Sequence, residues 1–157
     1  MAAITNMEET YAKFAKKYKL PEYKDINQAL ELSAMKDIHE EFLIRTLRRR
    51  LVDVLFSWTN YLHNLVMPNQ NNLISVNEYQ QFTDDDRNTM TKIMTQLMIL
   101  ARQSASLEIF LDEKKDANYI NTAWKEWAQI KKELQKIVDK NLSSWQKAEN
   151  EKITPNN

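Results

Sequence analysis

Apolar residues recur along much of the chain at intervals of three and four, which is the spacing of one face of an α-helix. The longest stripe consists of leucines and other large apolar residues between Leu43 and Leu65. Four stretches follow this pattern: residues 6–18, from between Ser33 and Asp37 to about Val66, from 84 to about Phe110, and from about 116 to 148. The pattern predicts an all-α protein.

Capping residues indicate where several of these helices begin. Thr83 precedes three aspartates, so a hydroxyl can cap the helix and the carboxylates complement its N-terminal dipole. A hydroxyl three residues before a glutamate predicts two further capping boxes, which begin at Thr5 and Ser75. Residues 22–36 lack a clear period, and they fit either a short helix or irregular structure.

Short polar segments separate the predicted long helices. Residues 67–72 contain a proline and three asparagines, and residues 112–116 form a charged turn. Because short connections make consecutive helices run in opposite directions, we expect an antiparallel helical bundle of three long helices plus a short N-terminal helix. We expect a single domain over residues 1–148 and a disordered polar tail over 149–157.

Composition excludes several kinds of protein. The 157 residues include neither glycine nor cysteine. Without glycine the chain lacks a P-loop, a Rossmann fingerprint and a nucleophile elbow, and without cysteine it lacks disulfides and thiolate sites. No apolar run approaches the roughly 18 residues of a membrane span, and 22 basic residues balance 22 acidic ones. We therefore expect a cytoplasmic, non-enzymatic protein with no catalytic residues, no cofactor, no membrane association and no general affinity for nucleic acid.

The long helix carries a second, mixed face opposite its leucines. At about 100° per residue, Ile38 falls on this face together with five further residues: Phe42, Arg45, Arg49, Val52 and Phe56. Aromatic residues interleaved with arginines indicate that something covers the face: the N-terminal helix, a second copy or a protein partner. We expect the aromatic residues of the N-terminal helix to cover it. If the face is open, these five residues are the expected partner contacts.

Glu108 falls near the centre of the apolar face of the helix predicted from 84 to about Phe110, where an unpaired carboxylate is costly. A buried ion pair with Arg45 or Arg50 is the favoured interpretation, and a hydrated bundle end is the next. A third interpretation joins Glu108 to Glu40 and Asp116 as ligands of a divalent metal. The Glu-x-x-His pairs of ferritin-like di-iron proteins are absent, so we predict no metal site.

Three short motifs resemble known families. Residues 19–23 (KLPEY), 41–50 (EFLIRTLRRR) and 106–108 (SLE) resemble a family of small archaeal helical proteins that has no assigned activity. The arginine-rich helix followed by a serine-capped one is also similar to the helical domain of GINS replication-complex subunits. In this chain, however, the last long helix continues without a small β-domain. The resemblance to GINS implies an adaptor role in a replication complex.

These features predict a helical module for protein interaction or self-association, with a protein partner or a homo-oligomer. The first alternative is a nucleic-acid-associated or replication-complex adaptor that uses the arginines of residues 45–50, since guanidinium groups match phosphate oxygens. The second alternative is a metal-dependent helical-bundle enzyme. Tryptophan side chains can also stack on bases, but all four lie on predicted inner stripes, so we expect them in the core: Trp58, Trp124, Trp127 and Trp145.

Overall fold

The computed structural model describes residues 3–153, and for the last two of these only the backbone. Over that range the chain forms α1 Met7–Tyr18, α2 Tyr23–Leu30, α3 Leu43–Val66, α4 Leu73–Gln80, α5 Asp84–Ser106 and α6 Glu113–Ile153. Two short 3₁₀ helices, Leu32–Ala34 and Glu40–Phe42, precede α3. The described residues contain no strand, only an isolated bridge between Ala3 and His39. The all-α class is confirmed.

The start of α5 is where the sequence predicted it. The Thr83 hydroxyl oxygen accepts a hydrogen bond from the Asp86 backbone N–H at 3.1 Å, and the Asp86 carboxylate accepts one from the Thr83 N–H at 2.9 Å. This reciprocal pair is a capping box. The helix ends at Ser106, four residues before the predicted end at Phe110.

The other two predicted caps are wrong by one and three residues. Asn6, not Thr5, caps α1, and its side-chain oxygen accepts from the Glu9 N–H at 3.2 Å. Asn72, not Ser75, caps α4. Asparagine is as strong an N-cap as the hydroxyl residues, so the asparagine side chain determines the start of each helix.

Helix α3 begins at Leu43, later than the expected start between Ser33 and Asp37. The backbone of Asp37 is left-handed, with φ at 58°, which interrupts any helix. The Ile38 carbonyl accepts a hydrogen bond from the Ile4 N–H at 2.8 Å. The N-terminal segment therefore holds this stretch extended.

Helix α6 is longer than the sequence predicted. It has 41 residues and continues to Ile153, so the expected tail over 149–157 is helical in its first five residues. The rest of that tail, residues 154–157, lies outside the described part of the chain.

The core consists of the apolar stripes of α3, α5 and α6, with α1 and α2 packed on it. In α3 the centre of the stripe is rotated slightly from its predicted position. Leu55 and Thr59 are buried, whereas Val54 and Trp58, which belong to the predicted stripe between Leu43 and Leu65, are half-buried. The largest buried apolar side chains of these three helices include Leu43, Leu47, Leu51, Leu62, Met90, Leu97, Leu100, Ile120, Trp127 and Leu134.

Side-chain bonds define which helix ends lie together. Arg48, near the start of α3, donates to Ser104 near the end of α5 and to Asp116 at the start of α6. Towards the other end, the Asn141 amide of α6 donates to the Tyr61 hydroxyl of α3 at 2.8 Å. No helix in the described range is long and apolar enough to cross a membrane.

Helix α1 packs against the start of α6 and not across the mixed face of α3. The Tyr18 hydroxyl donates to the Glu113 carboxylate, and the Asn121 amide donates to the Tyr18 carbonyl at 2.9 Å. Phe42, at the end of the 3₁₀ helix before α3, is 42% exposed, and Phe56 of α3 is 46% exposed. The expectation that α1 covers these side chains is wrong, because the aromatic residues of α1 contact α2 and α6 instead.

Candidate functional site

Arg48 is fully buried at the end of the core. It lies on the inner stripe of α3, one turn after Ile44 and one turn before Leu51. Its Nε donates to Asp116 Oδ1 at 2.7 Å, and Nη2 donates to Glu108 Oε1 at 2.7 Å. Its Nη1 donates to the carbonyl oxygen of Ser104 at 3.0 Å and to the hydroxyl of the same residue. A buried guanidinium is tolerated only with this degree of hydrogen bonding.

Asp116 is the buried counter-ion of Arg48. It lies in the first turn of α6 and is 1% exposed. Its Oδ1 accepts from Arg48, while Oδ2 is buried and has no hydrogen-bond partner among the described residues. The first turn of a helix also favours a carboxylate through the helix dipole.

Glu108 lies in the segment between α5 and α6, and it binds three arginines of α3. Arg49 forms a fork on it, with Nε to Oε1 at 2.8 Å and Nη2 to Oε2 at 2.7 Å. Arg45 Nη2 donates to Oε2 at 2.9 Å and to the Glu108 carbonyl at 2.7 Å, and Arg48 supplies the third contact. The Arg49 hydrogen bonds are the largest cause that holds the pKa of Glu108 well below its usual range, while partial burial opposes them. Reciprocally, Glu108 raises the pKa of Arg49.

The expected pairing of Glu108 with Arg45 is present, but that with Arg50 is not. Arg50 lies on another side of α3, where it lines a cavity with Asp53. Glu108 itself follows the end of α5 and keeps 38% of its side chain exposed, so the pair is not fully buried. The cluster of Arg45, Arg48, Arg49, Glu108 and Asp116, called the arginine cluster below, is centred on the buried Arg48.

Arg48 and Ser104 are the residues that sequence reasoning missed. A signal was available, because Arg48, Ser104 and Asp116 each stand on the inner apolar stripe of their own helix. Three polar residues at the same end of three facing stripes predict one connected group, since a buried charge needs partners. Grouping Arg48 with its neighbouring arginines hides its position on the inner stripe of α3.

The proposed metal ligands do not form a common site. Glu40 is exposed in the 3₁₀ helix before α3, whereas Glu108 and Asp116 both bind Arg48. Within residues 3–153 no group of three His, Cys, Asp or Glu side chains has the arrangement of a metal site. The chemistry of the arginine cluster is that of ion pairing, with three guanidinium groups against two carboxylates.

The mixed face of α3 stays open beside the arginine cluster. Phe42 and Phe56 are exposed, the Arg49 side chain is about half exposed, and Arg45 and Val52 are partly buried. We call these five residues the α3 face. The neighbouring segment after Glu108 is also apolar and exposed: Ile109, Phe110 and Leu111.

The four tryptophans differ in burial. Trp127 is buried as expected, and Trp58 and Trp124 are half-buried. Trp145 is an exposed residue of α6, and its indole N–H donates to Glu78 Oε2 at 3.1 Å. The prediction of a core position is therefore wrong for Trp145, whose indole N–H lies at the surface beside Glu78 of α4.

Comparisons with protein families, with characterised proteins and with solved structures gave no match. The resemblances noted from the sequence therefore stay predictions. The fold and the site define an all-α protein in which arginine and carboxylate side chains join three helices at one end of the core.

Proposed function

We propose that the chain is a non-enzymatic helical module for protein interaction and that the α3 face is its contact surface. The observation that carries this proposal is that Phe42 and Phe56 stay 42% and 46% exposed, since α1 packs elsewhere. Large aromatic side chains and arginine are enriched where proteins bind each other. A face that bears both, on a helix held by the core, is suited to this role.

We also infer that α3, α5 and α6 form an antiparallel bundle that supports this face. The bond from Arg48 to Ser104 joins the start of α3 to the end of α5. The ion pair of Asp86 with Lys140 joins the start of α5 to the later part of α6. Both pairs are those expected if consecutive long helices run in opposite directions.

The chemistry of the α3 face favours a partner that presents a carboxylate between two apolar side chains. Arg49 uses Nε and Nη2 for Glu108 and has Nη1 left to donate. The arginine cluster has one more positive than negative charge. Phe42 and Phe56 are fourteen residues apart, which is about 21 Å along a helix. A partner helix of about four turns matches that length.

Phosphate is a less favourable ligand for the same arginines. Arg48 is buried, and both Arg45 and Arg49 are already bound to Glu108. A nucleic acid would have only the same Nη1 group of Arg49 available, and the rest of the surface has no excess positive charge to add affinity. The adaptor role in nucleic-acid binding is therefore less favoured than protein interaction, and the metal-dependent enzyme is less favoured again.

Site-specific photo-crosslinking in cells tests the proposal. A photoreactive residue at position 56 should crosslink one protein, and Arg49→Glu should abolish that product by reversing the charge at the centre of the face. The control is the same residue at position 132, an exposed site on α6. Identical products from both positions, or crosslinks to nucleic acid at position 56, would refute the proposal.

A second candidate function, self-association, is supported by the outer face of α5. A shallow depression of about 690 Å³ lies along this helix, and Arg102 is the one charged residue among those that line it. If a second copy packs on it in antiparallel orientation, Met98 and Ile99 meet at the centre and Arg102 lies opposite Thr95. No like charges then oppose each other. The depression is lined by Thr91, Met94, Thr95, Met98, Ile99, Arg102, Gln103 and Ser106.

Light scattering after size-exclusion chromatography tests self-association. The chain should have a dimer's mass, and Met98→Lys should convert it to a monomer because two lysines would face each other at the symmetric contact. Lys136→Glu, on the exposed side of α6, is the control and should leave the mass unchanged. A monomer at all concentrations excludes this second candidate and leaves the α3 face unaffected.

A further inference from the structure

Helices α2, α3 and α6 line an open cavity of about 480 Å³ on a different side of the core from the α3 face, and its polar residues are exposed to solvent. Two tryptophans of α6, Trp124 and Trp127, form one wall. Asp25 and Gln28 of α2 and Lys131 of α6 supply its polar groups. This volume lies within the range of small-molecule sites, which combine apolar walls with a few polar groups.

The two charged residues of the cavity make no ion pair within the described part of the chain. Neither the Asp25 carboxylate nor the Lys131 ammonium makes an ion pair or a side-chain hydrogen bond among residues 3–153, and the Gln28 amide makes none either. The Lys131 Nζ lies 5.9 Å from the centre of the Trp124 ring, which is within the range of a cation–π contact. The cavity therefore presents one free anion and one free cation beside indole rings.

These charges restrict the ligand. A purely anionic molecule would bring its charge near Asp25, and a purely cationic one would meet Lys131, so each is disfavoured by one side chain. A zwitterion satisfies both groups and leaves no net charge in the cavity. Indole walls favour a flat aromatic ring, because aromatic pairs contribute beyond the area that they bury.

We propose that this cavity binds a small aromatic zwitterion, of which an aromatic α-amino acid is the simplest. The ring packs on Trp124 and Trp127, the carboxylate binds the Lys131 ammonium, and the ligand ammonium binds the Asp25 carboxylate. The Gln28 amide can donate a hydrogen bond to the ligand carboxylate or accept one from the ligand ammonium. This site is independent of the α3 face and of the proposed interaction function.

Nuclear magnetic resonance with L-phenylalanine as the probe tests this site. Phenylalanine has no indole, so the indole N–H signals of Trp124 and Trp127 report binding directly, after assignment with single Trp→Phe variants. We expect saturable shifts of these two signals with a Kd on the order of 1 mM, and no shift of Trp145, which is outside the cavity. Absence of saturation at about 10 mM would overturn the proposal.

Two probes that each lack one charge show which residue binds which end of the ligand. Phenylacetate and phenethylamine should each bind about fivefold more weakly than phenylalanine, because a charge-assisted hydrogen bond is lost. Lys131→Met should weaken the binding of phenylalanine but not that of phenethylamine, and Asp25→Asn should weaken the binding of phenylalanine but not that of phenylacetate. The control Lys132→Met, on the next residue of α6, should change nothing. Equal effects of Lys131→Met and Lys132→Met on phenylalanine would contradict the assignment.

Discussion

The buried ion pair of Arg48 and Asp116 adds little to stability when it forms, but its removal from the folded chain is costly if only one partner is replaced. Taking both charges out of water costs free energy that their attraction only roughly offsets, so the intact pair adds little net stability. Removal of one partner leaves the other charged and buried, and Arg48 is bonded to three residues at once. Substitution of this arginine should therefore be among the most damaging single changes in the chain.

We expect Arg48→Met to lower the free energy of unfolding by about 3–5 kcal/mol, because it leaves Asp116 without a counter-ion. Chemical denaturation measures the loss. The matched control is Arg49→Met, at a half-exposed arginine one residue along, which should cost about 1 kcal/mol or less. In the double variant Arg48→Met with Asp116→Leu, much of the lost stability should return. If Arg48→Met and Arg49→Met lower the free energy of unfolding equally, burial of the Arg48–Asp116 pair is not the cause of the loss.

Glu108 should make stability depend on pH in the acid range. Its pKa is lowered in the folded chain from an ordinary value of 4.5, so its contribution is complete above that pH and is lost as the pH falls towards the lower folded value. Glu108→Gln should cost about 1–2 kcal/mol at pH 7, a modest figure because the side chain is 38% exposed. The difference from the native chain should shrink steadily below pH 4.5. Denaturation curves between pH 7 and pH 3 measure it, and a difference that does not depend on pH would contradict this account.

At the level of single helices, the N-caps allow a comparison of two threonines. Thr83 caps α5, whereas Thr5 stands one residue before the true cap of α1. Thr83→Ala should lower the free energy of unfolding by about 1 kcal/mol. Thr5→Ala should change it by less than about 0.5 kcal/mol, as is usual for an exposed site without such a bond. Thermal denaturation of both variants checks this, and equal losses would show that the cap of α1 has been misplaced.

What the sequence predicted well was local. The stripe of α5 and its cap at Thr83 depend on residues a few positions apart, and both were found. The start of α3 was placed too early because Asp37 is left-handed and the stretch is held by Ile4, which no local pattern records. The position of α1 depends on a contact between Tyr18 and Glu113, 95 residues apart. Amphipathic spacing indicates that a face is buried but not which helix buries it.

The candidate site shows the same limit at a single position. The sequence indicated that Glu108 needs a cation and that Arg45 was near enough to supply it, which is what the structure contains. It did not indicate that Arg48 would be fully buried, because a run of three arginines is typical of a solvated face. The burial of Arg48 would have been predicted if its position on the inner stripe had been given more weight than its charge.

In the molecule as a whole, α1 and the α3 face should behave independently. Tyr11 is fully buried in α1, so Tyr11→Ala should lower the free energy of unfolding by about 3–5 kcal/mol. Amide hydrogen exchange should then become faster at the start of α6, over residues 113–121, where α1 packs. Exchange over residues 42–56 should change less. Faster exchange confined to residues 42–56 would mean that α1 does protect the α3 face.

The unequal lengths of the helices have a mechanical consequence. At about 1.5 Å per residue, α6 is about 61 Å long, whereas α3 is about 36 Å. Past Trp145 none of the described side chains of α6 is buried. A helical segment acts as a semi-rigid spacer, whereas an irregular segment acts as a flexible tether. Anything joined to the end of α6 would therefore be held away from the core.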